Sequence, residues 1–240
     1  MRRVAAALAL LLVLTAPAAA QTGDAQEKMA LAKTYLDETS GSFDYTKGEA
    51  LMREAADAGL AEAQYQMGLL SLGAFGNLPD LLGAVQWFEK AIAQNHAAAR
   101  YQLGVLYLEG LGVPKDAVKA AALIGEAAQQ GNADAMLDYG VLVFRGEGVQ
   151  QDEKIGTQWL LLSAKRGNVI AQNRLARVLA FGRGADADPV EALKWHLLAT
   201  RAGRGDAELD TMLGKLSDDQ KKEAEARADA FKPLEAAPAN

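Results

Sequence analysis

The chain has 240 residues, half of them hydrophobic, with 31 acidic against 25 basic side chains, two histidines and no cysteine. Without cysteine it can form no disulfide framework, thiolate zinc site, cysteine nucleophile or lipid-anchored N-terminus, and a histidine metal site would have to borrow carboxylates. The apolar content argues against disorder and allows either one sizeable core or a row of small ones.

The first residues read as an address. Arg2 and Arg3 precede an apolar run from Val4 to Leu14, and Ala18-Ala19-Ala20 precedes Gln21. A basic start, an apolar stretch and small residues are the parts of a secretory signal peptide, with cleavage expected after Ala20. The apolar run is too short to span a bilayer comfortably, which takes about 20 residues. Residues 1–20 are therefore expected to leave, and 21–26 to form a loose start. The alanine-rich leader suits a Gram-negative bacterium, which gives a periplasmic address. Because Arg2 and Arg3 go with the leader, the remaining chain is more acidic than the formal charge of −6 for the whole. Such a surface repels phosphate backbones and anionic lipids, so neither nucleic acid nor a membrane is an expected partner.

A period of 36 residues organises the rest. Alanine returns at Ala63, Ala99, Ala135, Ala171 and Ala207. Glycine returns at Gly68, Gly104 and Gly140, with Ala176 next, and again at Gly76, Gly112, Gly148 and Gly184. Aspartate marks Asp44, Asp80, Asp116, Asp152 and Asp188, and tryptophan marks Trp87, Trp159 and Trp195, with Leu123 between the first two. Self-similarity at such a period is the signature of a repeat architecture.

Each unit reads as two helices. From Ala99 to Glu109, Ala99, Leu103 and Leu106 fall on one helical stripe. Gly110-Leu111-Gly112-Val113-Pro114 interrupts it, since both glycines accept positive φ and Pro114 disfavours helix before it. Asp116 then stands where an N-cap belongs, able to accept from the free N–H groups of the second helix. In the last unit Asp188-Pro189-Val190-Glu191 adds a proline at the first helical position and a glutamate placed for a capping box. The second helix is expected to stop at Gly131, and its equivalents at Gly59, Gly167 and Gly203, where a left-handed C-cap suits glycine. Gly68, Gly104 and Gly140 sit inside the first helix, where glycine costs roughly 1 kcal/mol relative to alanine; close approach of a neighbouring helix explains them.

After Ala207 the pattern gives way to a cap over 207–232. Ala207 to Lys215 allows a short helix, and Ser217-Asp218-Asp219-Gln220 opens a second that Pro233 stops. Lys221, Lys222, Glu223, Glu225 and Arg227 give that helix the solvated face a terminal repeat requires. Residues 233–240 are expected as a loose tail.

These columns resemble the Sel-1-like repeat, a relative of the tetratricopeptide repeat. The unit from Ala99 carries its pattern through Leu103-Gly104, Tyr107, Gly110-Leu111-Gly112-Val113, Asp116, Lys119-Ala120, Ala127-Ala128 and Gly131. The resemblance covers residues 27–206 as five units. The first departs from it with Ala32 in place of the helix glycine, and the second closes on Asn95. It implies an all-α, right-handed solenoid of helix-turn-helix repeats with a C-terminal capping helix pair. It also implies a protein-binding role, exported members acting in envelope signalling, exopolysaccharide regulation and assembly of complexes.

No catalytic or metal-binding constellation emerges. The Gly-x-Gly pairs follow no strand and complete no phosphate-binding motif. The aspartates are spaced along the array rather than brought to one point, so capping is their expected work, with Asp186 a solvated neighbour of Asp188. His96 and His196 lie three units apart, too far for a shared zinc. Ser71 and Ser163 sit inside helices with no nucleophile elbow. The tryptophans read as core residues wedged between helices. The sequence thus predicts no enzyme, no cofactor and no metal. A cell-wall or β-lactam-acting enzyme, suggested by cysteine-rich relatives of the repeat, is the alternative, and this chain lacks their cysteines. A structural spacer is a third reading.

What remains is the exposed face of the first helices. At about 100° per residue, Tyr65, Gln66, Tyr101, Gln102, Leu137, Asp138, Asn173 and Arg174 point away from the partner helix, and Leu69, Val105, Val141 and Arg177 lie near them. Polar and aromatic side chains with apolar ones between them suit an extended peptide or a partner's helix. An ordinary solvated face is the plainer alternative. The expected protein is therefore a monomeric periplasmic scaffold that binds a protein or peptide there.

Overall fold

A computed structural model describes residues 18–234, which form twelve α-helices and no strand. The helices are α1 (Ala18–Leu36), α2 (Tyr45–Asp57), α3 (Ala61–Ser71), α4 (Leu81–Ile92), α5 (Ala97–Glu109) and α6 (Ala117–Gln129). They continue as α7 (Ala133–Arg145), α8 (Glu153–Lys165), α9 (Val169–Phe181), α10 (Pro189–Arg201), α11 (Ala207–Leu213) and α12 (Asp218–Asp229). Residues 1–17 of the expected leader and 235–240 of the expected tail lie outside the described residues. The chain divides into two compact units, one up to Gln64 and one from Tyr65.

In the first unit α1 packs along α2. Residues 21–26, expected as a loose start, instead lie within α1. Ala25 and Ala32 are two helical turns apart on one face and both are buried, and Lys28 forms an ion pair with Glu54 of α2. This unit keeps Ala32 where later units have glycine, and moves the close approach to Gly48 of α2. A Cβ on Gly48 would stand 2.6 Å from Leu36 Cγ.

In the second unit α4 to α10 pack each on the next, and α12 closes over α10. The core is a row of clusters rather than one centre. Phe88 packs with Leu103 and Leu106, Ile124 with Met136 and Leu142, and Leu160 and Leu175 with Trp195, Leu209 and Leu213. Gly104 is where α5 meets α6 most closely, since a Cβ there would lie 2.6 Å from Ile124 Cγ1.

Two hydrogen bonds recur with the repeat. The N–H groups of Asp44, Asp80, Asp116, Asp152 and Asp188 donate to the carbonyls of Tyr35, Ser71, Tyr107, Val143 and Leu179 at 2.8–3.0 Å, closing each loop. The same five carboxylates accept from the backbone N–H three residues on, at Lys47, Gly83, Lys119, Ile155 and Glu191, and so cap the second helices. This double duty excludes the capping box read from Glu191. Its backbone partner, the Asp188 N–H, is already given to Leu179, and the Glu191 carboxylate instead meets Lys194 and Arg227. Ser217 and Gln220 do form a capping box at α12.

At the ends of the second helices Gly59, Gly131, Gly167 and Gly203 adopt positive φ, and Asn95 takes the same left-handed conformation at φ 62°. The second glycine of each loop has a different task. Gly112, Gly148 and Gly184 press against the backbone of Leu81, Ala117 and Glu153, each the first residue of the preceding unit's second helix. These contacts seat one unit on the next. In the cap, Ala224 and Ala228 of α12 are buried one turn apart. The Leu234 N–H donates to the Lys165 carbonyl, which brings the first residues of the expected tail back onto α8.

Candidate functional site

The polar and aromatic residues of the first-helix face have different fates, and Leu137, expected among them, is instead buried in the core with Leu160 and Leu175. Tyr65 stacks on His96, with ring centroids 4.8 Å apart. The Tyr101 hydroxyl donates to Asp138 Oδ2 at 2.9 Å, linking α5 to α7. Burial and the neighbouring Asp138 push the Tyr101 phenol above its ordinary value. Gln66, Gln102 and Asn173 are half-buried, and Arg174 is exposed. Arg177 forms ion pairs with Asp206 at 2.6 Å and with Glu208. The face is therefore not one continuous binding strip, because part of it holds neighbouring units together.

Asp138 has a measurable consequence. Its burial raises the carboxyl pKa above 3.8, against the hydrogen bond from Tyr101 and the field of Arg174. A carboxyl that holds its proton more tightly when folded stabilises the protein below its unfolded value and loses that contribution as pH rises through its folded value. Asp138→Asn keeps an oxygen for the Tyr101 hydroxyl and cannot ionise. The variant is expected to gain in urea midpoint over the parent as pH rises from below 3.8 toward neutrality. A difference that stays flat with pH would contradict this account.

Arg174 and Arg177 open onto a groove of about 520 Å³ between α7 and α9. On α9 the stripe Arg174, Arg177, Val178, Phe181 follows helical spacing, and α7 faces it with Val141, Phe144 and Arg145. Leu160 of α8 forms part of the floor, and Gln151 and Arg183 reach in from loops. Four arginines thus meet in a chain whose acidic residues outnumber its basic ones. The guanidinium of Arg177 lies 5.5 Å from the Phe181 ring centroid and that of Arg183 5.2 Å from that of Phe144. Arg183 is also paired with Glu153. The guanidinium groups of Arg145 and Arg174 make no ion pair or hydrogen bond among the described residues, and Arg174 meets Asp138 only through its field.

Of the groove, the first-helix reading anticipated Arg174, Arg177 and Val141. Phe144, Arg145, Phe181 and Arg183 have no repeated identity: Arg145 and Phe181 occupy one column and share no chemistry. Their one sequence signal is a local excess of arginine in an acidic chain. The caps of the first helices were also missed. His96, Asn132 and Asn168 each accept from the backbone N–H three residues on, and Asp206 caps α11. The first three form a column of their own, directly following Asn95, Gly131 and Gly167.

The other candidates hold structural places. Trp87 and Trp195 are buried, and Trp159 meets Tyr139 edge-on at 5.4 Å. His196 is buried with Nε2 2.7 Å from Asp210 Oδ1. The Ser163 hydroxyl donates to the Ala133 carbonyl, joining α8 to α7. Among the described residues no group of three His, Cys, Asp or Glu is placed to hold a metal ion, and no helix is long and apolar enough to cross a membrane.

Comparison with known proteins accords with this geometry. The family model described as Sel1 repeat matches residues 23–60, 61–96, 97–132, 133–168 and 169–203. A crystal structure of a Sel1 repeat protein from Oxalobacter formigenes superposes with a TM-score of 0.73 at 28% identity, covering 94% of this chain and 91% of the other. A protective antigen of uropathogenic Escherichia coli strains, c5321, gives 0.55 at 23% identity over 88% of this chain and 54% of its own, and shares the fold alone. The same holds for a Sel1 repeat protein from Klebsiella pneumoniae subsp. pneumoniae, with a TM-score of 0.51 at 22% identity over 81% and 95%. No curated protein matches the chain.

Proposed function

The chain belongs to the Sel1 repeat family, an all-α solenoid class that generally mediates protein–protein interaction, and we propose that it is an exported, non-enzymatic scaffold holding a protein partner in the groove between α7 and α9. The observation that carries this reading is the groove itself: an apolar floor ringed by four arginines, two of them exposed and outside any ion pair among the described residues. Arginine and aromatic side chains in a concave setting are the usual anchors of protein interfaces.

The polar side chains of the groove are guanidinium groups and one amide, which supply neither a nucleophile nor a general base near neutral pH. A recognition role follows more directly from that chemistry than a hydrolytic one. The basic start, short apolar run and small residues before Gln21 support export to the periplasm. There the monomer would act as a regulator or as an adaptor in an envelope complex.

Site-specific photo-crosslinking in cells producing the full-length chain tests the proposal, together with fractionation of the product. A photoreactive phenylalanine at Gln151, on the groove, is expected to yield a discrete protein adduct, and one at the exposed Gln130 is not. Phe144→Ala with Phe181→Ala should reduce the Gln151 adduct severalfold. Equal adducts from both positions, or none from either, would reject the groove as the binding surface.

A further inference from the structure

The groove's charge balance says what kind of partner fits it. Arg177 is neutralised by Asp206 and Glu208, and Arg183 by Glu153. Arg145 and Arg174, from adjacent units, face the same groove with no carboxylate within ion-pair distance among the described residues. In a chain with 31 acidic residues against 25 basic, two exposed guanidinium groups outside any ion pair, with only the half-buried Asp138 acting on Arg174 through its field, leave room at one concave site for an occupant's carboxylates. Val141, Leu160 and Val178 offer that occupant an apolar floor.

Resting on the reading of the groove as a protein-binding surface, we infer that it recognises an acidic peptide segment, an apolar side chain seated between α7 and α9 and carboxylates on Arg145 and Arg174. Guanidinium forks match carboxylates in two-point contacts, which fixes the orientation of a bound chain as well as attracting it. An acidic polysaccharide would supply the same charge but needs open aromatic faces and hydroxyl-binding amides. Here each phenylalanine already has a guanidinium over its ring, and Gln151 is the one amide side chain of the lining. A carboxylate-bearing peptide with an aliphatic side chain fits both the rim and the floor.

The tethered arginines add a second feature. Arg177 and Arg183 are held in place by carboxylates from α11, its N-cap and α8, so the rings they cover are set in position before a ligand arrives. Such preorganisation lowers the ordering cost of binding.

Fluorescence anisotropy with the exported chain tests the inference, using a short fluorescein-labelled peptide of alternating glutamate and leucine. A lysine–leucine peptide and an oligogalacturonate serve as comparators. The glutamate peptide is expected to bind, and more weakly as salt is raised. Arg145→Glu with Arg174→Glu should weaken it about tenfold or more and make the lysine peptide the better ligand. Arg145→Ala with Arg174→Ala should weaken the first without creating the second preference. Arg145 and Arg174 are exposed, so circular dichroism should stay that of the parent. No binding of the glutamate peptide, an affinity untouched by the charge reversal, or displacement of the peptide by oligogalacturonate would overturn the inference. If in that case the Gln151 crosslink persists, the groove remains a protein site and only the acidic character of its partner is wrong. If the crosslink is absent too, both readings fall.

Discussion

Gly148→Ala is expected to destabilise the protein by about 3 kcal/mol or more, read as a fall in the urea midpoint. The cost has two sources. Gly148 has φ +70°, where a Cβ is strained in any setting. In addition, that Cβ would fall far inside van der Waals contact with the carbonyl of Ala117, at the start of α6. Backbone cannot swing aside as a side-chain end can, so the loop must lift off the preceding unit. Gly131→Ala isolates the first source, because Gly131 has φ +97° with no atom within 4 Å of its would-be Cβ. It should lose only about 1 kcal/mol. Equal losses at the two positions would mean that the loop contact does not seat one unit on the next.

Trp195→Ala is expected to cost about 3–5 kcal/mol, the range for emptying a buried aromatic site. Trp195 is 1% exposed, the largest fully buried side chain among the described residues, and meets Phe231 edge-on at 5.3 Å. It packs in one cluster with Leu175, Leu209 and Leu213, so it ties α9, α10, α11 and the segment after α12 together. Trp159 occupies the same column one unit earlier, is only half-buried, and should cost distinctly less. Hydrogen exchange separates cap loosening from global loss: amides of α11 and α12 should lose protection in Trp195→Ala, and those of α5 and α6 should not. Uniform loss across the second unit would show instead that it unfolds as one cooperative body.

Sequence and structure agree best where a feature depends on near neighbours in the chain. Helix limits in the repeats, the glycines at the ends of the second helices and the aspartate positions before them were legible because each is a local demand repeated every 36 residues. The second capping column, His96, Asn132 and Asn168, is equally periodic, but its first member reads as a histidine before it reads as a hydrogen-bond acceptor. Residues 21–26 are helical for another reason. Helix there is sustained by burial of Ala25 and by Lys28 reaching Glu54, neither of which a polar stretch announces.

The groove lies beyond that reach. A position buried between units is constrained in the same way each time and leaves a column, whereas a position facing solvent is free to differ, as Arg145 and Phe181 do. The amino-acid order alone settles that this chain builds helix pairs, where they begin and end, and that equivalent pairs recur, because capping, left-handed glycines and apolar spacing act within a few residues. Which Tyr101 is spent on Asp138, which arginines are neutralised by α8 and α11, and which two are left facing a common apolar floor is decided only when the units are stacked. Charge pairing depends on distances across units, and no periodicity encodes those distances.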